Sequence, residues 1–154
     1  MLSKLQLKLK EKNIGAYVLC AYENYFYLSG FSGSNCYLVI TETEGYLITD
    51  SRYSVYAKEF SDKFHVIIYE RSPFEEIGKL GIEELYFENT MSVKQMEELS
   101  KYVKKLIPSE DLALPLRMVK EPWELAHIKD AIHINYAVLA EIQNHIKPGI
   151  TERE

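Results

Sequence analysis

Cysteine, basic charge and long apolar runs are all in short supply, and each shortage closes off a class of function. Only Cys20 and Cys36 occur, singly and inside apolar runs, without the paired spacing of a zinc site or redox motif. They read as buried free thiols of a cytoplasmic protein. Eighteen basic side chains face twenty-three acidic ones for a net charge of −5, and no basic block could neutralise a run of phosphates. Nucleic-acid binding is disfavoured. No apolar stretch has the length needed to cross a bilayer, so no membrane partner is expected. The opening residues set Lys4, Lys8, Lys10 and Lys12 among Leu2, Leu5 and Leu9, an amphipathic helix rather than the uninterrupted apolar segment of a signal peptide. Repeats and low-complexity tracts are absent too.

What is present is an ordinary globular balance, 47% hydrophobic and 27% charged, in a chain long enough for one domain with a proper core but short for two. The helix of Leu2, Leu5 and Leu9 ends at Asn13 and Gly15. Ala16-Tyr17-Val18-Leu19-Cys20-Ala21 follows, an apolar run of strand length that implies burial on both faces. Strands are also predicted over residues 36–40, 46–49, 65–69 and 84–88, the first two joined through Thr43-Glu44-Gly45 as an antiparallel hairpin. Short helices are predicted over residues 54–60 and after Ser72-Pro73, and a longer one from Ser92 through Val93, Met96, Leu99, Val103 and Leu106 to Pro108. The alternation gives an α/β fold with a mixed β-sheet flanked by helices.

From Leu112 the character changes. Residues 112–120 read as an extended or irregular connector, and Glu121-Pro122-Trp123-Glu124 opens a helix that nothing breaks before Lys147, about 35 Å long at the usual rise. Its stripe of Leu125, Ile128, Ile132, Leu139 and Ile142 must face something. The division is therefore residues 1–116 as one domain and residues 117–154 as a linker and the first helix of the next. Thr151-Glu152-Arg153-Glu154, directly after Pro148-Gly149, spells a helix cap, and we expect the natural polypeptide to continue beyond it.

Candidate chemistry is sparse. Gly30-Phe31-Ser32-Gly33-Ser34 lacks the glycine spacing of a dinucleotide fingerprint, the Gly-Lys of a P-loop and the second flanking glycine of a nucleophile elbow. It reads either as a turn between two strands or as a loop touching a ligand or partner, with Phe31 projecting from its centre. Asp50 and Arg52 share a side of an extended segment, suiting a structural ion pair or helix cap, or the capture of a substrate charge. Glu124 to His127 and Asp130 to His133 have the Glu-x-x-His type of interval, but a bundle metal site needs such motifs on two helices. His65 and His145 read as ordinary packing and surface residues. By spacing alone no complete active site is present: no catalytic residue and no metal ligand can be named.

Four stretches nevertheless resemble a known family. Asn24-Tyr25-Phe26-Tyr27-Leu28-Ser29-Gly30-Phe31-Ser32-Gly33-Ser34, then Leu47-Ile48-Thr49-Asp50-Ser51-Arg52-Tyr53, are similar to the signature stretches of the N-terminal domain of Xaa-Pro aminopeptidases, prolidases and creatinase. The run from Leu116-Arg117-Met118-Val119-Lys120 to Leu125 resembles that family's interdomain junction, and Lys147-Pro148-Gly149 the turn after the first catalytic-domain helix. The resemblance implies a non-catalytic assembly domain joined to a "pita-bread" metallopeptidase domain that hydrolyses Xaa-Pro peptide bonds. Two divalent ions (manganese, cobalt or zinc) would be held in that second domain, none in this chain. It further implies a cytoplasmic homo-oligomer, commonly a dimer, acting on peptides, with this domain lining a neighbour's active-site rim. Phe31, Ser32, Asn35, Arg52 and Tyr53 are the expected rim or partner contacts, and the missing catalytic domain is the expected cover for the long helix. The competing expectation is a metal-free homologue acting as a peptide-binding or scaffold module.

Overall fold

The computed structural model describes residues 1–151 and Arg153, so the cap expected at Thr151, which needs Glu154, lies outside the described residues. The chain divides into two compact units, Met1–Met118 and Val119–Glu154. In the first, helix α1 (Leu2–Glu11) leads to strand β1 (Ala16–Leu19), helix α2 (Tyr22–Ser29) and the hairpin β2 (Tyr37–Thr41) and β3 (Gly45–Asp50). Two 3-10 turns, Ser51–Tyr53 and Tyr56–Phe60, precede β4 (His65–Tyr69), α3 (Pro73–Lys79), β5 (Glu84–Glu88), α4 (Val93–Leu99), β6 (Lys105–Ser109) and α5 (Leu114–Met118).

The six strands form one sheet in the order β4-β3-β2-β1-β5-β6. β1–β2 and β2–β3 are antiparallel, while β1–β5, β5–β6 and β3–β4 are parallel, so the sheet is mixed, as the hairpin required. Strand side chains alternate between faces. Tyr17, Leu19, Leu38, Ile40 and Leu47 accordingly pack with Leu5 and Leu9 of α1 and Tyr25 and Leu28 of α2. Val18, Val39, Ile48, Leu85 and Phe87 point the other way, onto Phe74 and Ile77 of α3 and Leu99 of α4. The unbroken apolar run of β1 is explained by this sandwich: all four of its residues are buried because both faces are covered.

Local chemistry sets the ends. Asn13 takes a positive φ of 54° where α1 stops. Ser72 caps α3 with Pro73 at its first turn, and Ser92 with Gln95 forms a reciprocal capping box on α4.

Three expectations need correction. The helix from Ser92 ends at Leu99 and not at Pro108, because residues 105–109 add a sixth strand. Pro108 is tolerated there since β6 is an edge, where a missing N–H breaks no ladder. Val103 and Leu106 fall at helical spacing, yet they come from a turn and a strand. The short helix expected over residues 54–60 is the 3-10 turn Tyr56–Phe60 and not an α-helix. The connector over residues 112–120 contains helix α5, started by Asp111, whose Oδ1 accepts the N–H groups of Ala113 and Leu114, both at 2.9 Å.

The second unit is dominated by helix α6 (Pro122–Gln143), with Pro122 in its first turn and a Glu121–Glu124 capping box. It stops four residues short of Lys147. None of its residues is buried; Leu125, Ile128, Ile132, Leu139 and Ile142 are each between 42% and 50% exposed. Among the described residues no helix is long and apolar enough to cross a membrane.

Candidate functional site

The first family-like stretch is helical. α2 occupies Tyr22–Ser29, and Gly30 ends it in the left-handed region, φ 81°, with its N–H donating to the Phe26 carbonyl at 2.7 Å. The loop after Gly30 thus joins a helix to β2 rather than two strands. Phe31 does not project. It is fully buried, its ring stacked on Tyr56 (5.3 Å between centroids) and meeting Tyr53 and Phe60 edge-on, both at 5.5 Å. An aromatic side chain in a short polar loop finds more favourable surface beneath the loop than in water.

Gly33 is required by that packing: a β-carbon there would lie 2.5 Å from the Phe31 ring. Its carbonyl accepts from the Tyr25 hydroxyl at 2.7 Å. The loop hydroxyls then pair with the 3-10 segment: Ser32 with Tyr56 at 3.1 Å and Ser34 with Tyr53 at 2.9 Å, and the Ser34 N–H donates to the Tyr53 oxygen at 3.0 Å. These Ser34 bonds favour the phenolate and move the Tyr53 hydroxyl below its ordinary pKa.

Asp50, at the end of β3, organises the rest. Its carboxylate accepts Arg52 Nε at 2.9 Å, Arg52 Nη2 at 2.7 Å and the Arg52 backbone N–H at 3.0 Å, so the ion pair and the cap are both made by one residue. Asn35 Nδ2 adds a bond to Asp50 Oδ2 at 2.7 Å and another to the Tyr69 hydroxyl. The Arg52 hydrogen bonds hold the Asp50 carboxyl well below the usual carboxylate range, Asn35 adding to the effect. The Arg52 side chain remains 67% exposed and its guanidinium lies 5.4 Å from the Tyr53 ring centre. Since a guanidinium has five donors, the outward part stays available to an acceptor.

Ser32, Asn35, Arg52 and Tyr53 therefore gather on one loop cluster, with Phe31 as its floor. Cys36 is buried as expected while Cys20 is only half-buried; desolvation pushes the Cys20 thiol up to about 12 and Cys36 higher still. His65, expected to pack in its strand, lies exposed on the Tyr46 ring at 5.1 Å.

Sequence reading missed a buried polar group at the carboxyl ends of β1 and β5. Glu88 is wholly buried; one oxygen accepts the N–H groups of Cys20 and Ala21, and the other accepts Asn24 Nδ2 at 2.7 Å. Asn24, 1% exposed, also donates to Asp111 at 3.0 Å and accepts from Arg117 Nη1 at 2.9 Å. These partners lie 64 to 93 residues apart, beyond the reach of any periodicity. The only hint is a Glu closing an apolar strand.

Among the described residues no group of three His, Cys, Asp or Glu is placed to hold a metal, and the Glu and His residues of α6 stand on one exposed helix.

Comparison with known proteins places the chain. An uncharacterized peptidase, YqhT of Bacillus subtilis, is 28% identical over 98% of this chain and 45% of its own length. The solved Xaa-Pro dipeptidase from Bacillus anthracis is 25% identical with a TM-score of 0.89, covering 98% of this chain and 44% of that one. The N-terminal domain of the cytoplasmic peptidase PepQ from Mycobacterium tuberculosis, 26% identical with a TM-score of 0.67, covers 75% of this chain and 96% of its own. The chain therefore spans less than half the length of the first two relatives. The sequence profile of the creatinase/prolidase N-terminal domain matches residues 1–119, and with the mixed sheet and the loop cluster in place, the chain belongs to the creatinase/prolidase N-terminal domain family.

Proposed function

We propose that this chain is the non-catalytic N-terminal domain of a proline-specific metallopeptidase that hydrolyses Xaa-Pro peptide bonds in the cytoplasm, followed by the linker and first helix of the catalytic domain. The supporting observation is a contrast in coverage. The PepQ N-terminal domain accounts for 75% of this chain, whereas the Bacillus anthracis dipeptidase accounts for 98% of it, α6 included, using under half of its own length. In the resembled enzymes two divalent ions supply metal-assisted hydrolysis, activating a water and polarising the scissile carbonyl. This chain's part is assembly: Arg52, Tyr53, Asn35 and Ser32 form a contact face toward a second copy and the rim of its active site, held rigid from beneath by Phe31.

Such a rim acts by closing a cleft and limiting substrate length. The Asp50–Arg52 fork suits it, because a guanidinium with part of its donors occupied is preorganised for a carboxylate or carbonyl arriving from outside. The apolar stripe of α6 has a use under the same reading, as a face that packs within the catalytic domain.

The test is made on the complete polypeptide, loaded in turn with manganese, cobalt or zinc and assayed on an Xaa-Pro dipeptide and a longer Xaa-Pro peptide. Hydrolysis of either bond supports the proposal. Absence of hydrolysis, in a polypeptide whose downstream domain lacks the two Asp, one His and two Glu that hold the ions in the resembled enzymes, replaces it with the peptide-binding or scaffold module. Arg52→Ala in the active enzyme lowers turnover or oligomer content with the fold intact; unchanged kinetics and oligomeric state remove Arg52 from the rim.

A further inference from the structure

The buried group around Asn24 has no role in the rim, and both ends of the Asn24 amide are bonded within it. Glu88 closes β5 and meets the chain where β1 passes into α2: Ala21, the residue before the helix, has no side chain that caps it, and the Glu88 carboxylate accepts the Cys20 and Ala21 N–H groups at that junction. Asn24, one turn into α2, receives what remains. Its two amide hydrogens go to Glu88 Oε2 and Asp111 Oδ2, and its carbonyl oxygen accepts from Arg117. Carboxylates only accept and a guanidinium only donates, so the amide has a single workable orientation. An acid at this position would confront two carboxylates; a base would confront an arginine.

Beyond Asn24, every contact leads to the last segment of the unit. Asp111 turns its other oxygen to the Ala113 and Leu114 N–H groups, Arg117 reaches back to Asn24, and the Tyr27 hydroxyl donates to the Leu116 carbonyl at 2.8 Å. Leu112 and Ala113 are buried in the core beneath. A five-residue helix cannot hold itself together in water, so its order must come from such outside bonds.

We propose that Glu88, Asn24, Asp111 and Arg117 form a latch that fastens α5 to the carboxyl ends of β1 and β5, so that the chain leaves the first unit at Met118 from a fixed point and not from a loose tether. The sheet ends are joined to the exit helix through one amide. The latch goes beyond the peptidase reading and holds whether or not a catalytic domain follows.

Amide hydrogen exchange by NMR on the 154-residue chain tests it. In the wild type, the amides of Leu116 and Arg117, bonded to the Ala113 carbonyl, exchange slowly. Arg117→Met cuts the outer arm and accelerates these amides by about tenfold or more, the scale of losing a hydrogen bond to a charged group, while β2 and β3 amides keep their rates. Asn24→Asp, the same shape with the donor removed, accelerates them further, and a larger rise at Leu116 and Arg117 than at the β2 and β3 amides supports the latch. Unchanged Leu116 and Arg117 rates in Arg117→Met overturn it. So does a rise shared equally by the sheet, which would make Arg117 a contributor to global stability alone.

Discussion

Helices α1 and α6 both carry an apolar stripe, of leucine in α1 and of leucine and isoleucine in α6, yet the two meet opposite fates. Leu5 and Leu9 of α1 are entirely buried against β1 and β2, while Leu125, Ile128, Ile132, Leu139 and Ile142 of α6 keep 42% to 50% of their surface exposed. Periodicity reports which face of a helix seeks cover, not whether the cover is present. In residues 1–118 the cover is a sheet lined on both sides; in α6 no residue is buried.

The comparison is broken most directly by truncating a leucine in each region. Leu38→Ala, at a fully buried position of β2, should cost about 2–5 kcal/mol in urea unfolding, whereas Leu139→Ala on α6 should stay within about 0.5 kcal/mol. Equal losses would mean that α6 is packed as tightly as the sheet.

Gly33→Ala sharpens the point by asking whether close packing extends to the loop cluster. Its β-carbon would meet the Phe31 ring at 2.5 Å, and we expect a loss of about 1–3 kcal/mol with disturbed Tyr53 and Tyr56 resonances. A neutral result would show the Phe31 ring free to move aside.

The smallest effect concerns acid. The Asp50 carboxyl titrates lower in the folded chain than in the unfolded one, so its stabilisation is present above the unfolded value of about 4 and is lost as pH falls toward the folded value. Because Arg52 is largely exposed, solvent screens the pair. Arg52→Ala should lower stability slightly near neutral pH, leave it unchanged at low pH, and so flatten the acid limb of the stability profile by the same small amount. An acid limb identical to wild type would remove the ion pair from the account.

Much of the fold was legible because its signals are local. The apolar run of β1, the turn at residues 43–45, Pro73 after Ser72 and the Ser92 cap each sit within a few residues of what they determine. α2 was not read as a helix, since its buried residues include Asn24 and Ser29, polar side chains that break an apolar stripe and are satisfied by bonds, Asn24's running to residues far along the chain. β6 was hidden by Val103 and Leu106 continuing the helical spacing of α4. At the loop cluster, the Asp50–Arg52 pairing was legible from two neighbouring opposite charges, though Arg52 stands in a 3-10 turn capped by Asp50 and not in the extended segment expected, whereas the burial of Phe31 depends on Tyr53, Tyr56 and Phe60, which the loop sequence does not contain. Glu88 drew no attention because its partners are assembled only when the end of β5 meets the junction of β1 and α2.

The central claim is that residues 1–118 are a self-sufficient α/β domain and that α6 begins another. Urea unfolding of residues 1–118 beside the 154-residue chain tests it most directly. The account predicts one cooperative transition for the shorter chain, with a midpoint matching that of the longer one. Loss of cooperativity, or a large fall in midpoint when residues 119–154 are removed, would contradict it.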